Sequence, residues 1–257
     1  MDVPQGVAAK LRRAEVHLAL FGMAVEEFLA AEPFAAVRTV SNDGRSHVVE
    51  WTRTAPIPDD IPLLAGDAVH NLRSALDHLA VALERASANR LGHQLTPAEE
   101  RRPQFPVARS EREFKEQLTR FGYLSPATVD VLKTFQPFAI APGQPEQSFL
   151  WQVSDLDNLD KHRMLAPVPI SPVSITEPGH RGQWVDGPSV PYAPGVEIGR
   201  YVFADPTAAA ELPIEVRFGL TLGSVPWVPH DVRFRLGEYA KTVKEGVIVP
   251  ICQSVNI

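Results

Sequence analysis

The most informative stretch of the sequence is residues 66–83, GDAVHNLRSALDHLAVAL. A helix advances roughly 100° per residue, so this stretch predicts one polar face and one aliphatic face. The polar face holds Asp67, His70, Asn71, Ser74, Asp77 and His78, with Arg73 at its border. A solvated face usually carries Lys and Glu, whereas Asp, Asn, Ser and His form helices less well. The crowding predicts a functional face, although an Arg73–Asp77 pair at i, i+4 is also an ordinary surface ion pair.

A second polar concentration lies at residues 154–165, SDLDNLDKHRML. Within about two helical turns it carries Asp157, Asn158, Asp160, Lys161, His162 and Arg163. The cations at its end also interact favourably with the negative C-terminal dipole of a helix. Their presence there does not by itself indicate a functional site. If the two polar segments face one another in an open cleft, they form a site. If they are buried with every partner satisfied, they form a structural network.

Within HNLRSALDHL, Arg73 and His78 stand as R-x4-H. This spacing resembles the signature of the HEPN superfamily, whose members are all-helical nuclease and nucleotide-binding domains of toxin and antiphage systems. Where HEPN proteins usually place Asn after the Arg, this chain has Ser74. The paired segments GDAVHNLRSALDHL and DNLDKHR are also similar to a group of bacterial and phage proteins with no assigned activity.

The HEPN resemblance implies RNA cleavage without a metal or other cofactor, in a cleft shared across a homodimer. His78 would act as general acid and base, and Arg73 would stabilise the phosphorane formed when the RNA 2′-hydroxyl attacks. The product would carry a 2′,3′-cyclic phosphate. The substrate-binding residues expected around this catalytic pair are His70, Asn71, Ser74, Asp77, Asn158, Asp160, Lys161, His162 and Arg163.

Two other interpretations stay open. The polar groups can satisfy one another in a buried network, or form a surface for a partner protein, without any chemistry. A metal site is the third hypothesis, because Asp67-x-x-His70 has the i, i+3 spacing that aims two ligands at one ion. However, the acidic candidates are all Asp, and Arg73, Lys161 and Arg163 favour a phosphate over a cation. We therefore rank phosphate or nucleotide recognition above metal binding and assign no metal ligands.

Composition limits the classes of protein. With 257 residues, 44% hydrophobic and 22% charged, the chain can bury its own core. A mean hydropathy of −0.09 and the lack of a long apolar run exclude a membrane span. The net charge of −6 argues against a general nucleic-acid coat protein. The single cysteine, Cys252, cannot form an internal disulfide, which predicts a cytoplasmic location.

The elements that must position the polar segments are mainly helical. Apolar periodicity predicts helices at residues 6–31, 63–89 and 146–164. Capping signals at Ser110, and at Ser125 before Pro126, predict two shorter helices between the last two of these. No Gly-rich phosphate loop, H-E-x-x-H motif or G-x-S-x-G motif is present in the sequence, so the common nucleotide, zinc and serine hydrolases have no support.

Strands are predicted in two places. Residues 35–54 form a β-hairpin around an Asp43–Gly44 turn, and three alternating segments lie within residues 165–229, namely SPVSIT, GVEIGRYVFAD and PIEVRFGLTLGS. An amphipathic helix closes the chain in residues 230–257. The predicted fold is therefore α+β: a helical bundle with an N-terminal β-hairpin, a later small antiparallel sheet and a C-terminal helix, in a single integrated domain over residues 1–257.

Overall fold

A computed structural model of the chain describes residues 3–162, 165, 167–176, 182–186, 197–204, 215–222 and 231–257. Within these ranges the protein has the α+β fold predicted from its sequence, with long helices and small antiparallel sheets. None of the described helices combines the length and the apolar character needed to cross a membrane.

The helices of the first two thirds follow the apolar periodicity of the sequence. In chain order they are α1 (Gln5–Ala30), α2 (Asp60–Arg90), α3 (Pro97–Glu100), α4 (Glu111–Leu118), α5 (Pro126–Thr134), α6 (Pro137–Ile140) and α7 (Phe149–His162). Both capping predictions are confirmed, because the hydroxyls of Ser110 and Ser125 accept the backbone N–H groups of Glu113 and Thr128, each at 3.2 Å. A 3-10 turn at Pro145–Gln147 precedes α7, so that helix begins at Phe149.

The C-terminal helix is continuous but changes its winding. It runs as α8 (Val232–Lys241), a π-helical stretch (Thr242–Ile248) and α9 (Val249–Val255). Pro250 has no N–H to donate to the Gly246 carbonyl, and in an α-helix its ring would clash with that carbonyl. A wider π turn before the proline relieves this conflict. Cys252 is buried in α9, and burial raises the pKa of its thiol.

The N-terminal hairpin consists of β1 (Phe34–Val40) and β2 (Ser46–Arg53), paired antiparallel. Its turn is fixed by the Asp43 carboxylate, which accepts the Ser41 hydroxyl at 2.6 Å and the Arg45 N–H at 3.0 Å. Gly44 supplies the positive φ of 66° that the turn requires. The Asp-Gly signal therefore identified both the hairpin and its turning point.

The later strands are divided between two sheets. They are β3 (Pro167–Thr176), β4 (Gly182–Asp186), β5 (Glu197–Phe203) and β6 (Glu215–Leu222). β3 and β6 form a two-stranded antiparallel sheet, whereas β5 and β4 extend the hairpin in the order β1-β2-β5-β4. The pairing of β2 with β5 joins segments far apart in the sequence, and the alternation of side chains in each strand does not specify its partner.

The chain divides into two compact units. The first comprises Met1–Phe21, Pro62–Leu165 and Arg235–Ile257, and its core contains Leu72, Leu76, Leu79, Phe105 and Tyr239. The second comprises Gly22–Ile61 and Ala166–Phe234, with Val49, Tyr201 and Phe203 buried. The single integrated domain expected from the sequence stays a prediction. Both polar segments belong to the first unit.

We expect the capping box of α3, which Thr96 and Glu99 form, to persist down to strongly acidic pH. The backbone N–H and hydroxyl of Thr96, together with the Tyr123 hydroxyl, donate to Glu99 and lower its pKa from the usual 4.5 to about 2. A carboxylate whose pKa is lower in the folded state stabilises the fold at neutral pH, and this stabilisation is lost as the pH falls from 4.5 toward 2.

An NMR titration of the Glu99 side-chain carboxyl carbon checks this expectation, and its midpoint should lie near 2. The Glu99→Gln variant cannot ionise, so its free energy of unfolding should depend less on pH in the acid range than that of the parent. A midpoint at the usual 4.5, or identical acid dependence in both proteins, contradicts the expectation.

Candidate functional site

The two polar segments predicted from the sequence contact one another through α2 and α7. Nδ1 of His70 on α2 lies 3.0 Å from Oδ1 of Asp157 on α7. The aliphatic face of α2, including Ala68, Leu72 and Leu76, is buried, and this fixes the direction in which the opposite face points. Packing of the apolar stripe therefore brings His70 to α7.

Asp157 is buried although it carries a charge. Its side chain is 2% exposed, and its second oxygen, Oδ2, lies 2.6 Å from Nζ of Lys161, one turn further along α7. His70 and Lys161 are 55% and 51% exposed. A buried carboxylate needs such partners because desolvation of an unpaired charge is costly. The pair of His70 and Asp157, called the His70–Asp157 pair below, thus has a buried end and an end in solvent.

The His70–Asp157 pair favours one tautomer of the neutral imidazole. A carboxylate only accepts hydrogen bonds, so Nδ1 of His70 carries the proton directed at Asp157. In the neutral ring, Nε2 is then the unprotonated nitrogen, and no side chain in the described part of the chain bonds to it. An oriented imidazole with an accessible basic nitrogen is the usual arrangement of a general base.

Asp160 lies beside the pair and packs against the backbone of α2. A Cβ atom on Gly66 would meet the carboxylate of Asp160, with Oδ2 at 2.5 Å, so any other residue there requires that carboxylate to move. Burial, with Asp157 and Asp67 nearby, raises the pKa of Asp160, and His70 and the backbone N–H of Leu165 partly oppose the shift. The close approach explains why glycine precedes the polar face of α2.

His17 on α1 completes the group and was missed by the sequence analysis. Its Nδ1 lies 3.6 Å from Oδ2 of Asp67, and the residue is 8% exposed. Nδ1 of His17 is buried without a hydrogen bond among the described residues. The signal was present, because His17 falls three and four residues from the buried Ala14 and Phe21, on the apolar stripe of α1.

Arg73 contacts the loop that contains Phe105. Its Nη2 donates to the backbone carbonyl of Phe105 at 2.9 Å and lies 2.9 Å from Oδ1 of Asp77. The same Asp77 oxygen accepts the Phe105 N–H at 2.9 Å. Burial lowers the pKa of Arg73, while the nearby Asp77 and Asp157 oppose that shift. Arg73 and Asp77 together clamp both backbone groups of one loop residue.

His78 lies against the first turn of α1. A Cβ atom on Gly6 would meet its Nδ1 at 2.7 Å. Among the described residues, no hydrogen bond or ion pair joins His78 to Arg73, which contacts the Phe105 loop instead. The two members of the R-x4-H motif therefore contact different parts of the fold. Their catalytic assignment stays a prediction.

The other predicted site residues are distributed around these groups. Asn71 is buried and donates to the Asp67 carbonyl one turn earlier, at 2.8 Å, and Ser74 is half-buried. Asn158 and His162 are exposed on α7. Arg163 lies outside the described residues. The structure thus brings together His70, Asp157, Asp160 and Lys161, whereas Arg73 with Asp77 and His78 lie in two other contacts.

The described residues contain no group of three or more His, Cys, Asp or Glu side chains arranged to hold a metal ion. The spacing of Asp67 and His70 therefore has no further ligand to join it in that part of the chain. Comparison with protein-family models, curated proteins and solved structures gives no match. The function must be inferred from the side chains alone.

Proposed function

We propose that the protein is an acid–base enzyme that cleaves RNA without a metal ion, with His70 as its general base. The observation that supports this proposal is the His70–Asp157 pair, in which a buried carboxylate 3.0 Å away orients a half-exposed imidazole whose Nε2 has no partner among the described residues. Catalytic histidines are commonly oriented by a carboxylate in this way. The proposal keeps the reaction implied by the HEPN resemblance and moves the base from His78 to His70.

In the proposed reaction, Nε2 of His70 accepts the proton of the RNA 2′-hydroxyl. The 2′ oxygen attacks the adjacent phosphorus, the bond to the 5′ oxygen breaks, and that oxygen takes a proton from water as it leaves. His70 then gives its proton to the hydroxide that remains, which restores both the base and the water. The products are a 2′,3′-cyclic phosphate and a free 5′-hydroxyl. The substrate's own hydroxyl is the nucleophile, so the balance requires no cofactor.

Lys161 supplies an accessible cation beside the pair. Lys161 uses one of its three donors on Asp157 and is half exposed, so the remaining donors are available to a phosphate oxygen. Asn158 and His162, also exposed on α7, belong to the proposed substrate surface together with Arg163. A cleft shared between two copies of the chain is part of the same proposal, and light scattering of the purified protein checks for the homodimer.

The test is incubation with cellular RNA in EDTA, followed by analysis of the fragment ends. The parent should release fragments with cyclic phosphates, and His70→Gln should cleave at least about 100-fold more slowly, the lower range for loss of a general base. His93→Gln is the matched control, because His93 also pairs with a carboxylate, Glu99, at 3.2 Å. Asp157→Asn is tested in the same way. Its control is Asp130→Asn, because Asp130 is an exposed carboxylate on α5.

Asp157 is a positioning residue in this proposal, and it has its own readout. In the parent, ¹⁵N spectra of the His70 imidazole should report the Nδ1-protonated tautomer, and in Asp157→Asn that preference should disappear. Intact RNA with the parent, or unchanged cleavage by folded His70→Gln, overturns the proposal. Loss of cleavage in His78→Gln but not in His70→Gln returns the catalytic role to the R-x4-H motif.

A purely structural role is the second candidate, and the Arg73–Asp77 clamp favours it. This clamp, the Asn71 bond to Asp67 and the burial of Asp157 are features of a polar network that fixes the packing of helices. Such a network has no use for a half-exposed imidazole with a free nitrogen, which is why we place it second. The absence of cleavage together with reduced stability of Asp157→Asn supports the network.

A further inference from the structure

We propose a second ligand site, separate from the His70–Asp157 pair, that binds a small carboxylate with an apolar body. A cavity of about 340 Å³ lies between the C-terminal end of α2 and the segment that leads into α5. Its lining includes Ser87, Arg90, Leu91, Leu124 and Pro126. The volume is within the range of small-molecule pockets and is too small for a helix or a strand of a partner protein.

The wall of the cavity is preformed. Glu84, buried at 3% exposure, accepts the backbone N–H of Gly122 at 2.5 Å and that of Tyr123 at 3.2 Å. The Tyr123 ring stacks on His93 with centroids 4.6 Å apart, and its hydroxyl donates to Glu99 at 2.8 Å. These bonds hold the segment before α5 in place without a ligand, so binding requires little ordering of the chain.

Arg90 supplies the positive charge. Its Nη2 donates to the carbonyl of Val255 at 2.6 Å, which ties the guanidinium to the end of α9 and leaves its other N–H groups available. The Glu84 carboxylate lies in the same region, but it is buried and directed at backbone N–H groups. An anion at the cavity is therefore attracted by an anchored guanidinium with donors to spare.

Ser87 is the second polar feature. The residue is 4% exposed and lines the cavity, yet its hydroxyl has no hydrogen-bond partner in the part of the chain that the structure describes. The hydroxyl of Ser125, by contrast, is occupied by the N–H and the hydroxyl of Thr128. A hydroxyl on the cavity wall can donate to or accept from a ligand oxygen, so Ser87 adds a polar contact close to Arg90.

The remaining lining selects the rest of the ligand. Leu91 is 71% exposed at the rim, and Leu124 and Pro126 add further apolar surface. An exposed leucine beside a cavity is explained if apolar atoms cover it in the bound state. A planar or branched carboxylate, with its charge at Arg90 and its apolar body against these side chains, matches the site in size and in polarity.

Benzoate is the probe, and benzyl alcohol, which has nearly the same shape without the charge, is its matched control. The amide resonances of residues 122–125 should shift saturably with benzoate at millimolar concentrations, as expected for so small a ligand. Arg90→Gln should weaken benzoate binding about tenfold and leave benzyl alcohol binding almost unchanged. Arg85→Gln removes a neighbouring arginine that pairs with Glu100 outside the cavity lining, and it should have no effect.

Ser87→Leu fills the cavity and should abolish the shifts caused by both probes. Three results overturn the proposal: no saturable shift at tens of millimolar benzoate, equal affinity for benzoate and benzyl alcohol in the parent, or shifts that persist unchanged in folded Ser87→Leu. If Ser87→Leu fails to fold, the comparison of Arg90→Gln with Arg85→Gln decides the matter, since both lie on exposed positions of α2.

Discussion

Arg73→Ala is expected to lower the free energy of unfolding by about 3 kcal/mol, the lower end for breaking a buried ion pair. The side chain is 14% exposed, and its removal leaves the Phe105 carbonyl without its donor. The Asp77 side chain is 35% exposed, so water can solvate its carboxylate when Arg73 is removed. We therefore expect the lower end of the range. The lost packing of the buried stem adds to the effect.

Urea denaturation followed by circular dichroism measures this difference. Arg85→Ala is the control, because Arg85 makes a similar contact with Glu100 at 2.6 Å but is 53% exposed, and its loss should cost less than about 1 kcal/mol. Arg73→Lys keeps the charge without the planar fork and should be intermediate. Equal stabilities of Arg73→Ala and Arg85→Ala are incompatible with the clamp.

This expected destabilisation also affects how catalytic tests are interpreted. A variant at Arg73 loses activity whether the residue stabilises a transition state or only holds the Phe105 loop. His78→Gln and His70→Gln are better discriminators, because both imidazoles are exposed and neither replacement leaves a buried charge unpaired. A folded Arg73→Lys variant with full activity assigns the residue to structure.

Gly66→Ala is expected to destabilise the protein by about 1 to 2 kcal/mol, against the usual trend for a helix. Alanine is favoured over glycine inside a helix by about 1 kcal/mol, so an open site gains stability from this replacement. At position 66 the new methyl group would overlap the carboxylate oxygens of Asp160. Overpacking of this kind costs typically about 1 to 3 kcal/mol, which exceeds the gain in helix propensity.

Gly22→Ala is the matched control, because nothing lies within 4 Å of a Cβ atom at that position in α1. It should raise the melting temperature, whereas Gly66→Ala should lower it. The double variant Gly66→Ala with Asp160→Ala removes the clash, so its two changes should be less than additive. A stabilising Gly66→Ala shows that Asp160 moves aside at no cost and refutes the close approach.

Local patterns in the sequence were sufficient for the elements of secondary structure. The apolar stripe of α2 and the hydroxyl caps at Ser110 and Ser125 involve residues within a few positions of one another. β4, with five residues between Gly182 and Asp186, was not predicted, because so short a segment carries little periodicity. The union of β5 with the hairpin was also not predicted, since pairing of distant strands depends on the whole fold.

The candidate site was predicted in composition but not in its contacts. The sequence singled out the two polar segments, because residue types that are poor helix formers were crowded on one face. It placed His70 and Lys161 among the expected substrate-binding residues, but it named Asp157 only as part of the polar segment and not as a site residue. Nothing local distinguishes the buried Asp157 from the exposed Asn158 beside it, since burial depends on which helix packs above each residue.

The amino-acid sequence by itself determined the helices, the hairpin and the positions of the polar residues along them, because hydrophobic periodicity, caps and turns act over a few residues. The tertiary structure alone decided that His70 meets Asp157, that Arg73 holds the Phe105 backbone, and that His17 faces Asp67. Those contacts join residues that are 32 to 87 positions apart in the sequence. Only packing of the apolar faces against one another sets the distances between such residues.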